Sequence, residues 1–359
     1  MGFFGGRTIA FGNLVVLIVN TLIGWFHLLI LVFVVGVVLS RWIFFTGQDK
    51  GINLPSSFID DFLLKTAIKG GSLLILAMVL LFSRQLVAFR DPFVPWMEDA
   101  WLLLRHTYWG LSWTATLIAT SCSTAILYVM GNPGWRFATV LFLAGSMFLS
   151  FSGHANAVEG VSGLIIAADV LHVWAASGWL GSLVFLVVLD RAWRKQNETV
   201  GSLFPALRFK ISTSSIVCVA ILVISGVLTS SAHLSAVSDL AKTSYGQFLL
   251  LKIVLATVCI ALGALNWLLV RKNFQHTENL EKLKDRISKE IRIGQMVLLT
   301  TAIVIQVSPP GHQTSDQVMS LQMLLIRVIG VGMFFYVAFF VVILFFAAFL
   351  LKGSKLSSG

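Results

Sequence analysis

Apolar residues run in long stretches along the chain, separated by short polar or charged segments. A helix needs about 20 apolar residues to cross the hydrocarbon of a bilayer. Nine stretches meet or approach that length, at about 21–45, 70–89, 110–130, 136–151, 161–189, 211–231, 246–270, 291–307 and 321–351. The fourth and eighth are short. Gly131, Asn132, Pro133 and Gly134 form a strong breaker between the third and fourth, and Ser308, Pro309, Pro310 and Gly311 end the eighth in the same way. The pattern predicts an all-α, polytopic transmembrane helical bundle of about nine spans. Residues 1–359 read as a single membrane domain. The first apolar stretch is far longer than the core of a cleavable signal, and Arg7 is the only basic residue ahead of it.

Composition supports this reading. Of 359 residues, 57% are hydrophobic and only 12% charged, against roughly 25% charged in ordinary soluble domains. So few charges exclude a soluble globular protein of this size. The net charge of +10 would point to nucleic acid in a soluble chain. Here it is explained by where the basic residues fall. The loop after span five holds Arg191, Arg194, Lys195, Arg208 and Lys210, and the one after span seven holds Arg271, Lys272, Lys282, Lys284, Arg286, Lys289 and Arg292. Lys352 and Lys355 lie in the tail, whereas residues 152–160 and 308–320 contain no Lys or Arg. Positive charge marks the cytoplasmic side, so the C-terminus is expected in the cytoplasm and, with nine spans, the N-terminus outside. Arg84, Arg90 and Arg105 run against the rule, accompanied by Asp91, Glu98 and Asp99.

Two connecting segments carry their own pattern. Residues 95–104 combine Trp96, Met97 and Trp101 with leucines and early acidic residues, which predicts a short interfacial helix on the outer surface. Leu280, Leu283, Ile287 and Ile291 recur at helical spacing and predict a cytoplasmic extension of span eight. Cys122, Cys218 and Cys259 stand alone in apolar runs with no CxxC pair, and read as packing residues.

The candidate chemistry lies in the histidines. With sides assigned from Lys and Arg alone, His106, His154, His233 and His312 fall in outer loops or at their edges, His27 and His172 in the outer parts of spans one and five, and only His276 inside. Imidazole is a common ligand of copper and zinc, and thioethers such as Met97, Met319 and Met323 on the same side suit Cu(I). Asp169, His172, Ala176 and Trp179 share one helix face by three- and four-residue steps. An ionisable residue inside a span is a functional candidate, and Asp169 is placed to orient His172 as a metal ligand. The competing reading is an Asp–His pair that packs helices together. His27 is followed nine residues later by Gly36, as His172 is by Gly181. That spacing reads as a degenerate repeat with the two histidines facing each other from spans one and five. Lys252 and Arg327 are placed to snorkel, or to neutralise Asp169. No GxSxG, Walker A, HExxH or CxxCH pattern occurs, and no enzymatic activity is expected.

Residues 208–310 resemble the CopD domain of bacterial copper-resistance membrane proteins. The resemblance rests on Ile224, Ser225 and Gly226, on Thr243, Tyr245, Gly246 and Lys252, and on Asn266, Glu290, Gly294, Pro309 and Pro310. Upstream, the run around Ser152, Gly153 and His154 and that from Leu171 and His172 to Trp179 and Gly181 are also similar to the family. The resemblance implies copper transport or delivery at the bacterial cytoplasmic (inner) membrane, with a periplasmic CopC-like copper-binding protein as partner and His154 and His172 as ligands. The stretch 321–351 exceeds the eight spans expected of the family and reads as an additional helix for docking another membrane subunit. Copper handling is thus the leading expectation, with metal ligands His172, His27, His154, His233, His312 and His106. The alternatives are a haem b membrane oxidoreductase with His27 and His172 as axial ligands, or a structural subunit of a larger membrane complex.

Overall fold

The computed structural model describes residues 5–46, 56–151, 161–196, 202–271, 277–307 and 324–334, with single positions 309 and 337 besides. Among them every regular element is helical: α1 (Gly5–Phe44), α2 (Ser56–Phe89), α3 (Trp96–His106), α4 (Tyr108–Met130), α5 (Trp135–Ser150), α6 (Ser162–Ala176), α7 (Ser182–Gln196), α8 (Phe204–His233), α9 (Asp239–Lys242), α10 (Ser244–Arg271) and α11 (Thr277–Val304). A further helix, α12, covers Leu324–Phe334. A single π turn, Ser177–Gly181, joins α6 to α7. In hydrocarbon only helices or closed barrels can satisfy the backbone internally, which is why the long apolar stretches take this form.

Among the described residues, six helical stretches are long and apolar enough to cross a membrane: Val15–Phe44, Ser57–Phe89, Tyr108–Met130, Ser162–Lys195, Phe204–His233 and Ser244–Asn266. They coincide with spans one, two, three, five, six and seven of the sequence pattern. The fourth is α5, of only 16 residues. The eighth lies within α11, a helix of 28 residues that begins well before residue 291. Most of the ninth lies outside the described residues. The segment read as interfacial is indeed a helix, α3. Its Asp99 carboxylate is buried and held by Arg90, which also donates to the carbonyls of Asp91 and Val94. An arginine that runs against the charge rule is thus fixed inside its own loop.

α1 is the hub. Val34, Val35, Val37 and Val38 are almost wholly buried, packed among residues of α2, α5, α7 and α8. Leu283 and Ile287 of α11 join the same core, so the expected cytoplasmic extension is packed into the bundle. Towards the C-terminal end of α7, buried Asp190 accepts hydrogen bonds from the Ser202 hydroxyl (2.7 Å), the Leu203 amide (2.7 Å) and Arg194 Nε (3.0 Å), which ties α7 to the start of α8. Replacing it strands a buried N–H. Asp190→Ala is expected to cost about 3 kcal/mol, read as a lower unfolding midpoint in detergent with Asp190→Asn less affected.

The two halves of the chain repeat one plan. With α6, the π turn and α7 taken as one continuous helix, α1 to α5 and α6 to α11 each run long helix, long helix, short helix, long helix, helix. Thr107 caps α4 by accepting from the Gly110 amide (2.9 Å) while donating to the Leu103 carbonyl (2.6 Å). Thr243 does the same at α10 with Gly246 (3.0 Å) and Asp239 (2.8 Å). Gly110 and Gly246 press equally close on the preceding short helix, each with its missing Cβ position 2.0 Å from a carbonyl oxygen, of Leu103 and Asp239. Leu80, Ser83 and Leu86 of α2 match Leu222, Ser225 and Leu228 of α8 in spacing. The Ser123 hydroxyl, which donates to the Ala119 carbonyl (2.8 Å), also reaches the Ala138 carbonyl (3.2 Å), as the Cys259 thiol reaches the Glu290 carbonyl (3.4 Å).

The halves meet at their equivalent glycines. A Cβ on Gly36 would lie 2.4 Å from the Gly181 carbonyl carbon, and one on Gly181 would lie 2.0 Å from the Val32 oxygen. The Gly36 carbonyl accepts from the hydroxyls of Ser40 (2.7 Å) and Ser182 (3.1 Å). Around this crossing, each half's first helix reaches the last helix of the other half. Trp25 Nε1 donates to the Gln295 carbonyl (3.2 Å) and Trp174 Nε1 to the Ser146 hydroxyl (2.9 Å). Parallel repeats about an axis along the bundle are a recurrent plan of transporters.

Candidate functional site

His172 lies on α6, half-buried against α8. Its Nδ1 is 3.0 Å from the Ser225 hydroxyl oxygen. Ser225 commits its one proton to the Ile221 carbonyl at 2.6 Å. The hydroxyl can therefore only accept from the imidazole, so the Nδ1 carries the proton and Nε2 keeps its lone pair. This is how proteins prepare an imidazole for a metal: one ring nitrogen is tied to a fixed acceptor and the other left to coordinate. Gly226 lies against the ring, its Cβ position at ordinary contact distance, 3.5 Å, from His172 Cε1.

The orienting partner is therefore Ser225, and the role foreseen for Asp169 passes to it. Asp169, one turn outward on α6, lies instead within electrostatic range of Lys252 from α10, and Lys252 is also within range of His172. Sequence spacing put Asp169 and His172 on one face, but the Nδ1 faces across to α8, where Ser225 stands.

His27 is buried, and its Nε2 has no hydrogen-bond partner. Its neighbour is the Arg84 guanidinium of α2, which also lies against Gly24. His27 and His172 do not form the expected facing pair. Nine residues are two and a half helical turns, so His27 stands on the opposite side of α1 from the Gly36 that touches Gly181. The repeat was legible; the face was not. These separate environments give no support to axial ligation of one haem b by the two imidazoles.

His233, expected in an outer loop, ends α8 and is buried edge-on against Tyr245 with ring centroids 6.5 Å apart. His106 ends α3 and is exposed, with exposed Met97 on the same helix. His154 and His312, together with Met319 and Met323, lie outside the described residues. Among the described residues no three His, Cys, Asp or Glu side chains gather into a metal cluster.

A second polar site is built from Glu290, Asn266 and Trp179, which the sequence marks through the family resemblance but not as a site. Glu290 of α11 is buried, accepting from Trp179 Nε1 (2.8 Å) and Asn266 Nδ2 (2.7 Å). Trp179 projects from the π turn, a feature that often marks functional sites in helices. Glu290 stands in a run with Lys282, Lys284, Asp285, Arg286 and Lys289, which reads as a solvated cytoplasmic surface. Its hydrogen bond to Trp179, midway along Ser162–Lys195, places the carboxylate in the interior of the bundle.

Comparison with known proteins bears on this part of the molecule. Residues 207–307 match the family CopD, copper resistance protein D. By this segment the chain is similar to the CopD family. The CopD segment takes in Ser225, Gly226, Lys252, Cys259, Asn266 and Glu290. Similar proteins include the copper transport protein CutJ of Bacillus subtilis (strain 168), 30% identical over 178 residues, which are 49% of this chain and 31% of CutJ. Copper resistance protein D of Pseudomonas syringae pv. tomato is 23% identical over 218 residues, 58% of this chain and 70% of that protein. The chain thus spans about a third of CutJ. No solved structure matches it.

Proposed function

We propose that this membrane protein carries copper across the cytoplasmic membrane, or delivers it there, with His172 as the first ligand inside the bundle. The observation that carries the reading is the contact of His172 Nδ1 with Ser225, which leaves Nε2 available to a metal. The match of residues 207–307 to the CopD family and the names of the two relatives point to the same cargo. In this reading α5, α11 and residues 321–351 complete nine crossings, with the N-terminus outside, and no catalytic step is involved. His106, His154 and His312, with Met97, Met319 and Met323, capture copper on the outer side, from a CopC-like donor. Residues 321–351 remain available to a membrane partner.

The full chain reconstituted in lipid vesicles is expected to take up copper supplied as Cu(I) and, separately, as Cu(II), above the level of protein-free vesicles. Purified protein should retain copper and show no Soret absorbance. Uptake of neither form, with no copper retained, would overturn the reading and favour a structural subunit.

A further inference from the structure

The carboxylate of Glu290 is buried, and copper capture by histidines does not use it. Burying an ionisable group in a membrane interior is costly unless function demands it, and the fold itself supplies the control. The first half of the chain builds the corresponding helix pair without the acid. Ser123 and Cys259 occupy equivalent places, and each lies within hydrogen-bond reach of a carbonyl on the following helix, that of Ala138 in one half and that of Glu290 in the other. The same register puts Met130 where Asn266 stands, and the spacing from the crossing glycines puts Val34 where Trp179 stands. Val34 and Ala138 are fully buried. Buried valine and alanine thus stand in one half where tryptophan and glutamate stand in the other, while Met130, in the place of Asn266, is exposed at the end of α4. The first half packs its helices here without the acid.

Its hydrogen bonds fit a group that gains and loses a proton. Ionised, Glu290 accepts from two donors, the Trp179 indole and the Asn266 amide. The Asn266 Oδ1 is buried with no partner. If Glu290 takes a proton, the Asn266 amide can turn over, and that unused oxygen then accepts from the new carboxyl O–H. Trp179 goes on donating to the other oxygen. One rotation of an amide therefore satisfies the carboxyl in both states, so neither leaves it stranded. The neighbouring groups do not fix its charge. From α10 the Cys259 thiol gives its proton to the Glu290 main-chain carbonyl. On α11 itself, Arg286 lies one turn away and donates to the Leu265 carbonyl (3.4 Å). The π turn brings only Trp179.

We infer that Glu290, with Trp179 and Asn266, is a proton-binding site that exchanges its proton with water as copper passes, so that movement of the cation is coupled to a proton. The coupling rests on the copper reading; the proton site does not. Infrared spectra of the full chain in vesicles, with isotope-labelled glutamate, are expected to show a carboxylic C=O band that comes and goes across a pH series. Trp179→Phe should shift that band by removing one donor, and Glu290→Gln should abolish it. In the same vesicles a trapped pH dye should report proton movement on adding copper, lost in Glu290→Gln while copper is still bound. A band unmoved by Trp179→Phe, or no titrating band at all, overturns the site even if Glu290→Gln fails to fold. Titration without copper movement would sink the copper reading and leave the proton site standing; copper-linked proton flow unchanged in Glu290→Gln overturns the coupling.

Discussion

His172→Ala is expected to lower the copper retained by purified protein, and the copper taken up by vesicles, by tenfold or more. Two controls separate loss of a ligand from loss of structure. In His172→Asn the side-chain N–H can still donate to Ser225, but the nitrogen equivalent to Nε2 is gone, so copper should fall as far as in the alanine variant while the unfolding midpoint stays near that of the parent. In Ser225→Ala the ligand nitrogen remains and only its orientation is released. Loss of a partner behind a metal-bound imidazole commonly costs 10–100-fold in affinity, so Ser225→Ala should weaken copper binding by about tenfold and leave the capacity at saturating copper unchanged. Copper binding that survives both His172 variants would remove this residue from the path. The first half offers a comparison of its own. Where Gly226 stands beside His172, the matched position beside His27 is Arg84, whose positive charge opposes a cation there, whereas Lys252 near His172 has Asp169 as its counter-charge. His27→Ala is accordingly expected to change retained copper far less than His172→Ala.

The sequence made the class of fold legible because the signal is physical and local: long apolar stretches, and basic residues gathered in a few loops. The amphipathic segment that became α3 was legible for the same reason. Pairings between distant helices were not. Asp169 and His172 share a face by spacing alone, but the partner of His172 lies 53 residues away on α8, and nothing in the local pattern selects Ser225. Glu290 was hidden by its company, since a glutamate among lysines and arginines reads as solvated until its bond to Trp179, 111 residues away, is seen. The histidine–glycine spacing shared by spans one and five did point to a repeat. What it left open was rotation about the helix axis, which depends on what each face meets.

That repeat yields the second large effect, because the halves touch backbone to backbone. Small residues let membrane helices approach closely, and packing rather than the hydrophobic effect then holds them together. At Gly181 even a methyl group would sit 2.0 Å from the Val32 carbonyl oxygen, and at Gly36 2.4 Å from the backbone of Gly181. Neither obstacle is the flexible end of a side chain, so the helices themselves must part. Gly181→Ala is expected to cost about 3 kcal/mol, the upper part of the range for overpacking a well-filled interior, and Gly181→Leu to prevent recovery of folded protein. Once the helices have parted, the second methyl finds the space already open. The double variant Gly36→Ala/Gly181→Ala should therefore lose clearly less stability than the sum of the two single changes, as neighbours that share one clash do. Gly163, on α6, has nothing within 4 Å of its Cβ position. Gly163→Ala should be neutral or slightly stabilising, because alanine favours the helix. Thermal unfolding of the four variants in detergent tests the set. Additive costs at Gly36 and Gly181 would mean that the two halves do not meet at these glycines.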